Sequence, residues 1–274
     1  MNLSIPYMGS KRKSANKIYS TIHKLNPDGN LLADLFCGGF AISAKFMTKG
    51  WSVIANDKNK YVIALIRKVL YDGLPKDIVT KFVDRDLFID IINNPDNYED
   101  WYVGFVQCVY SFGNNPIKGY LFSKDIEPVK RAAHEIVVNC DTSLIKSFIK
   151  DEFIQSIISK PDKDSRRSEL MNVSHILKTR TFEFQNLESL SRIEQLERLQ
   201  QLERLQNLEI FNLNYFDVSI PSGAIIYCDP PYCNTTEYKE GSFNHTYFWN
   251  WCRQKSKTNK IYISERNYKV IGFM

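Results

Sequence analysis

The chain has 274 residues, 43% hydrophobic and 24% charged, values ordinary for a soluble globular protein with a real core. No apolar run approaches the ~18 residues of a membrane span. The opening Met1-Asn2-Leu3-Ser4-Ile5-Pro6 lacks the basic-then-apolar layout of a signal peptide, so a cytoplasmic protein is expected. The net charge of +5, from 36 basic and 31 acidic residues, is only a weak pointer to nucleic acid. Six scattered cysteines form no CxxC pair and no Cys/His cluster, which argues against zinc and against a disulfide framework.

Residues 10–25 read as a helix, followed by a Pro27-Asp28-Gly29 turn. Leu31 to Phe36 is a short apolar strand running into Cys37-Gly38-Gly39. Ala41 to Lys49 has helical composition and is closed by Gly50. Ser52 to Asp57 is the next strand and ends in an acid. Strand, glycine turn, helix, strand and acid together make one βαβ unit of a doubly wound sheet.

From Lys60 the apolar positions Val62, Leu65, Ile66, Val69 and Leu70 recur at helical spacing. Segments near 78–92, 99–110, 127–138 and 143–159 look similar, so residues 60–185 are expected to be a mainly helical insert. Within it, Tyr110 to Tyr120 is a loop rich in glycine, asparagine and aromatics, a composition suited to contacts with bases and phosphates. Basic clusters at 11–13, 163–167 and 253–260 are ordinary for solvated faces.

Residues 186–208 carry a leucine repeat stepping by three, from Leu187 to Leu208. Coiled coils need alternating steps of three and four, and uniform steps of three carry leucine around the helix. The segment is either a helix apolar on several sides or a small solenoid-like coil, and a spacer role is expected. Then Ala224 to Cys228 reads as a buried strand ending in Asp229-Pro230-Pro231-Tyr232. Two prolines have no N–H for a ladder, so the chain leaves the sheet there. That places a carboxylate at a strand's C-terminal end, where open α/β sheets bind ligands. Cys228 and Cys233 read as neighbours of this turn, not nucleophiles.

Four segments in order resemble the Dam-type DNA adenine methyltransferases: Pro6-Tyr7-Met8-Gly9-Ser10-Lys11, Asp34-Leu35-Phe36-Cys37-Gly38-Gly39, Asn56-Asp57, and Asp229 to Tyr232 followed by Thr235, Tyr238 and Phe243-Asn244-His245. The resemblance implies a Rossmann-like α/β methyltransferase sheet with helices on both faces. Residues 1–59 and 209–274 would form the catalytic domain and 60–185 a target-recognition insert. It also implies S-adenosylmethionine as cofactor and duplex DNA as substrate, on a monomeric protein without metal.

Tyr7, Gly9, Lys11, Asp34, Phe36, Gly38, Asp57, Asn214 and Asp229 would line the cofactor site. Lys11 would meet the methionine carboxylate, Asp34 the ammonium, and Asp57 the ribose hydroxyls. Glycines 38 and 39 let backbone approach a ligand closely. Asp229, Pro230 and Tyr232 would hold a flipped adenine, whose exocyclic amine attacks the methyl group. Lys118, Arg131, Arg166, Arg167 and Tyr238 are the candidate DNA contacts.

Three departures from the family pattern carry further expectations. Phe40 replaces a third glycine and either crowds the cofactor or packs beneath it. Asn214 stands where an acid is usual, with Asp217 as the alternative. Ile261 to Glu265 resembles the next family strand, but the residues after it fit poorly, so C-terminal strands are expected to be missing and activity weak. Methylation of cytosine's amine and a decayed, binding-only protein are the competing readings. A nicotinamide enzyme lacks its glycine fingerprint.

Overall fold

The computed structural model describes residues 3–177, 187–203, 205–231 and 243–264, and the backbone of 270–273. The strands are β1 (Leu31–Asp34), β2 (Ser52–Asn56), β3 (Leu208–Phe211), β4 (Ile225–Cys228), β5 (Lys260–Ser264) and β6 (Val270–Phe273). The helices of more than one turn are α1 (Ala15–Leu25), α2 (Ala41–Met47), α3 (Lys60–Arg67), α4 (Lys76–Thr80), α5 (Arg85–Asn93), α6 (Asp100–Tyr110), α7 (Glu127–His134), α8 (Asp151–Ile158), α9 (Lys163–Leu177), α10 (Glu188–Leu199) and α11 (His245–Lys255).

The six strands form one sheet in the order β3-β2-β1-β4-β5-β6. Five run parallel, and β6 pairs antiparallel with β5. Parallel strands covered on both faces read as continuous apolar runs, and Ile225 to Cys228 and Val53 to Ala55 are buried throughout. The chain lays β1, β2 and β3 outward on one side, then returns to place β4 on the other side of β1. The order therefore reverses between β1 and β4, and their carboxyl ends flank the topological switch point.

Two strands depart from the sequence reading. Leu208 closes the leucine repeat in sequence, yet it opens β3, and Val53 lies opposite it in the parallel ladder. Residues 270–273, expected to fit no strand, lie along β5 with Phe273 opposite Ile261. Backbone pairing with a neighbour decided both, and the local pattern does not carry it.

The chain divides into two compact units, residues 1–72 with 198–274 and residues 73–197. The first holds the sheet and α3, whose Arg67 donates to the Ile210 carbonyl at 2.6 Å. One face of the sheet packs Ala33, Ile54, Ile226 and Ile261 with Phe248, Trp251 and Cys252 of α11. Asn244 caps that helix by accepting from the Tyr247 N–H at 2.9 Å.

The second unit is helical. Arg85 donates through its backbone N–H to Glu127 at 2.8 Å and stacks over the Tyr120 ring at 4.9 Å. In the leucine segment, α10 is a regular helix with Leu190, Ile193, Leu196 and Leu199 buried. Steps of three do turn leucine toward several sides, and each of those sides is covered. No described helix is long and apolar enough to cross a membrane.

Candidate active site

The site is built on loops at the carboxyl ends of β1, β2, β3 and β4. Asp34 ends β1 and stands opposite Tyr227, two residues before Asp229, in the β1–β4 ladder. The Leu35 N–H donates to the Tyr227 carbonyl, and the Cys37 N–H donates to the Asn56 carbonyl. These bonds draw the glycine turn across the ends of β2, β1 and β4.

Asp34 is buried, and its Oδ2 accepts from the Ser43 hydroxyl at 2.7 Å, in the first turn of α2. Its Oδ1 has no hydrogen-bond partner among the described residues. Burial raises its pKa to about 7, against the Ser43 hydrogen bond, with a further rise from the charge of Asp229. A buried, orphaned carboxylate oxygen is costly unless something else meets it. An ammonium group would satisfy both its hydrogen bonding and its charge.

Asp57 accepts from the Gly38 N–H at 2.8 Å and from the Asn59 N–H at 2.9 Å. Burial raises its pKa, and those N–H donors oppose the rise. The backbone carbonyl of Asp57 accepts from Asn212 Nδ2 at 2.8 Å, which ties β2 to the segment after β3.

The glycines have a different neighbour from the expected one. A Cβ on Gly38 would sit 2.7 Å from a Tyr7 ring carbon, and one on Gly39 would sit 2.9 Å from Tyr7 Cβ. The close approach accommodates the N-terminal segment, with Tyr7 lying on the turn. Gly9 makes a left-handed bend (φ +72°) with open space where a side chain would be, just before Ser10. Ser10 caps the short 3-10 turn Lys11–Lys13.

That turn aims Lys11 at Asp229. Its Nζ lies 2.5 Å from Asp229 Oδ2, with both side chains largely shielded from water. Lys11 was expected at the cofactor's carboxylate; in the structure it holds the carboxylate of the Pro-Pro turn. Pro230 is buried and Pro231 partly so. Tyr232 and Tyr238 lie outside the described residues. Burial pushes the Cys37 and Cys228 thiols well above their ordinary range, so neither is poised as a nucleophile.

Phe36 is partly buried against Tyr215 (5.3 Å between ring centroids), Phe243 and Phe248. Asn214 is exposed, and its carbonyl accepts from the N–H of Asp217, also exposed. Phe40 packs beneath the turn: it is fully buried and left-handed (φ 65°) at the start of α2. Replacing Phe40 with glycine would relieve about 1–2 kcal/mol of left-handed strain but empty a site worth about 3–5 kcal/mol. Phe40→Gly is therefore expected to lower stability by about 2–3 kcal/mol, read from the denaturant midpoint.

Two residues of the site were given no role in the sequence reading. Buried Asn56 donates to the carbonyls of Leu35 and Leu213 at 3.1 Å each and accepts from the Leu213 N–H at 3.0 Å. It locks the loops after β1 and β3 together. Ser43 is the other, through its bond to Asp34. A polar residue closing the apolar run Val53-Ile54-Ala55 was the available signal for Asn56; Ser43 gave none.

The expected DNA contacts fare unequally. Lys118 is exposed, and exposed Arg131 lies 3.9 Å from Asp84. Arg166 is corrected: it is buried, and its guanidinium donates to the carbonyls of Val137 at 2.7 Å and Lys160 at 3.3 Å. Those bonds make it an internal tie. Arg167 is committed to Glu194 at 2.5 Å and Ser191 at 2.7 Å.

Residues 7–193, more than half of the chain, match the family model for D12 class N6 adenine-specific DNA methyltransferases. The chain belongs to that family. It is thus an enzyme that methylates adenine in DNA at N6. The match stops before Asp229, so the assignment of the Pro-Pro turn rests on geometry, through its ion pair with Lys11 and its place beside β1. No curated protein matches the chain. No cluster of three or more His, Cys, Asp or Glu able to hold a metal occurs among the described residues.

Proposed function

We propose that this methyltransferase uses S-adenosylmethionine and acts on an adenine swung out of duplex DNA, with Asp229 and Pro230 gripping the base. The observation that carries this reading is the convergence of Asp34, Asp57 and Asp229 at the switch point, with Asp229 held by Lys11. When bound, the cofactor supplies an electrophilic sulfonium methyl group. The orphaned Asp34 oxygen suits its ammonium, and Asp57 offers acceptors for two ribose hydroxyls. Phe36 and Tyr215 offer an aromatic wall for its adenine, with Asn214 at the rim.

Adenine's amine is a poor nucleophile because its lone pair is delocalised into the ring. Hydrogen bonds from that amine to the Asp229 carboxylate and the Pro230 carbonyl draw the lone pair back onto nitrogen. Asp229 and Pro230 would hold the amine in line with the methyl group of a bound cofactor, which would leave as the neutral thioether, while the displaced amine proton would pass to water. Much of the acceleration comes from holding the two reactants in line. The 111–120 loop, with Lys118 at its end, is the element assigned to the duplex.

Transfer of labelled methyl groups to duplex DNA, followed by nucleoside analysis, tests the proposal. N6-methyladenine is the expected product. Cofactor binding without transfer would show that the site holds its ligand but lacks the chemistry.

The pH dependence has a definite sign. Burial holds the folded pKa of Asp34 at about 7, well above the ordinary carboxylate range. The native state therefore holds a proton that the unfolded chain has lost, and its stability falls as pH rises from that range to about 7. A cofactor ammonium would reverse the preference and expel the proton. Cofactor affinity is expected to rise up to about tenfold per pH unit below pH 7 and to level off above it. Calorimetry in buffers of different ionisation enthalpy checks this, and Asp34→Asn should abolish the proton release.

A further inference from the structure

We infer that Arg192, in the leucine-repeat helix, is a positioning residue for DNA recognition: it fixes the base of the 111–120 loop. The inference rests on the reading of that loop as the element that meets the duplex.

Helix α6 ends at Tyr110, and its last carbonyls have no partner within the helix. Arg192 supplies one from far along the chain. Its Nη1 donates to the carbonyls of Val109 and Ser111 at 2.8 Å each and touches that of Cys108 at 3.4 Å. Its Nη2 donates to Glu188 at 2.5 Å, one turn earlier on α10. The side chain is only 7% exposed. A buried charge persists only when it is paired and hydrogen-bonded. Here a carboxylate and the negative end of a helix do both.

The reach to Ser111 goes past the end of α6. Ser111 is the first residue of the loop and pairs with Tyr120 as an isolated β-bridge. Beside it the Phe112 N–H donates to the Gly119 carbonyl at 2.9 Å, and the Leu121 N–H donates to that of Tyr110 at 2.8 Å. The far strand is pinned as well, since the Tyr120 hydroxyl donates to the Val83 carbonyl at 2.7 Å. The base is thus held from both sides while the tip stays open. Phe112 is 58% exposed and Ile117 74% exposed, next to exposed Lys118. A rigid base under apolar and basic groups spends little ordering entropy when it meets DNA.

A guanidinium can donate to several carbonyls at once, and an ammonium cannot copy that planar fork. The test uses the full chain with Arg192→Gln, Arg192→Lys and, as a control, Glu197→Gln. Glu197 sits on the same helix and pairs with Lys163 at 2.7 Å.

Hydrogen exchange over residues 109–121 reads the clamp directly and needs no activity. Arg192→Gln should speed exchange there by about tenfold, the equivalent of about 1.4 kcal/mol. It should raise KM for duplex DNA by a similar factor, with kcat at saturating DNA and cofactor affinity unchanged. Arg192→Lys should fall between Arg192→Gln and wild type. Glu197→Gln should match wild type in all four.

Wild-type exchange and KM in Arg192→Gln would overturn the inference. So would an equal loss of cofactor affinity, which marks a general folding role. If Arg192→Gln does not fold, Arg192→Lys decides: wild-type exchange and KM in that variant overturn the inference. If wild type methylates no duplex DNA, the proposed function fails on its own. The exchange data and duplex affinity by fluorescence anisotropy then still decide the role of Arg192.

Discussion

Asp229→Asn is expected to lower kcat by about 10²–10³-fold, the usual effect of removing one preorganised electrostatic contact to the reacting group. The substitution keeps the size of the side chain and the Pro-Pro turn, so the base still has a slot to enter. It removes the charge proposed to draw electron density onto adenine's amine. It also sets an amide opposite Lys11 Nζ, which now lies 2.5 Å from the carboxylate. Losing that largely shielded ion pair should cost about 1–2 kcal/mol of stability, a few degrees in Tm. Cofactor affinity should hold, because the groups assigned to the ammonium and ribose lie at the ends of β1 and β2. Single-turnover methyl transfer beside equilibrium cofactor binding makes the measurement. A large loss of cofactor affinity would show that Asp229 serves mainly to shape the cofactor pocket.

Asp57→Ala should do the reverse. It removes the acceptor proposed for the ribose and leaves the Gly38 N–H without the partner it now has at 2.8 Å. Hydrogen bonds to a charged acceptor carry about 1.5–3 kcal/mol each. The cofactor dissociation constant should therefore rise by about 30- to 150-fold, about 2–3 kcal/mol. At saturating cofactor kcat should recover most of its value, since binding was lost evenly from ground and transition states. The two variants split the site into a part that binds and a part that reacts. If Asp57→Ala lost kcat and kept its affinity, the division of roles would be reversed.

The sequence was most informative where chemistry acts through the local backbone. Asp229-Pro230-Pro231 had to leave the sheet because two successive residues lack a donor. Leu31 to Asp34 running into two glycines had to be a strand and a tight turn. β3 was hidden because Leu208 fits a three-residue repeat as well as it fits a strand start. The shape of the repeat itself stayed open because steps of three suit more than one periodic form. β6 was hidden because its pairing partner, not its composition, makes it a strand.

Side-chain roles divided the same way. Asp34 and Asp57 were singled out by their joint placement around a glycine turn, and Asp229 by the two prolines that follow it. Lys11 was legible as a site residue, but its partner was not, since 218 positions separate it from Asp229. Arg166 and Lys118 look alike in a basic sequence. Folding buries the first among carbonyls and leaves the second exposed.

By itself, then, the sequence determined the doubly wound sheet, the order of the motifs and the acids at the strand ends. Propensity, turn chemistry and apolar runs are properties of neighbouring residues. Only the tertiary structure decided that Tyr7 fills the space over the glycines and that Lys11 holds Asp229. It also decided that Asn56 locks two loops and that Arg192 clamps a third. Each of these depends on a donor meeting an acceptor or a surface from a distant part of the chain. Such meetings are set by how the elements pack, and no local pattern records them.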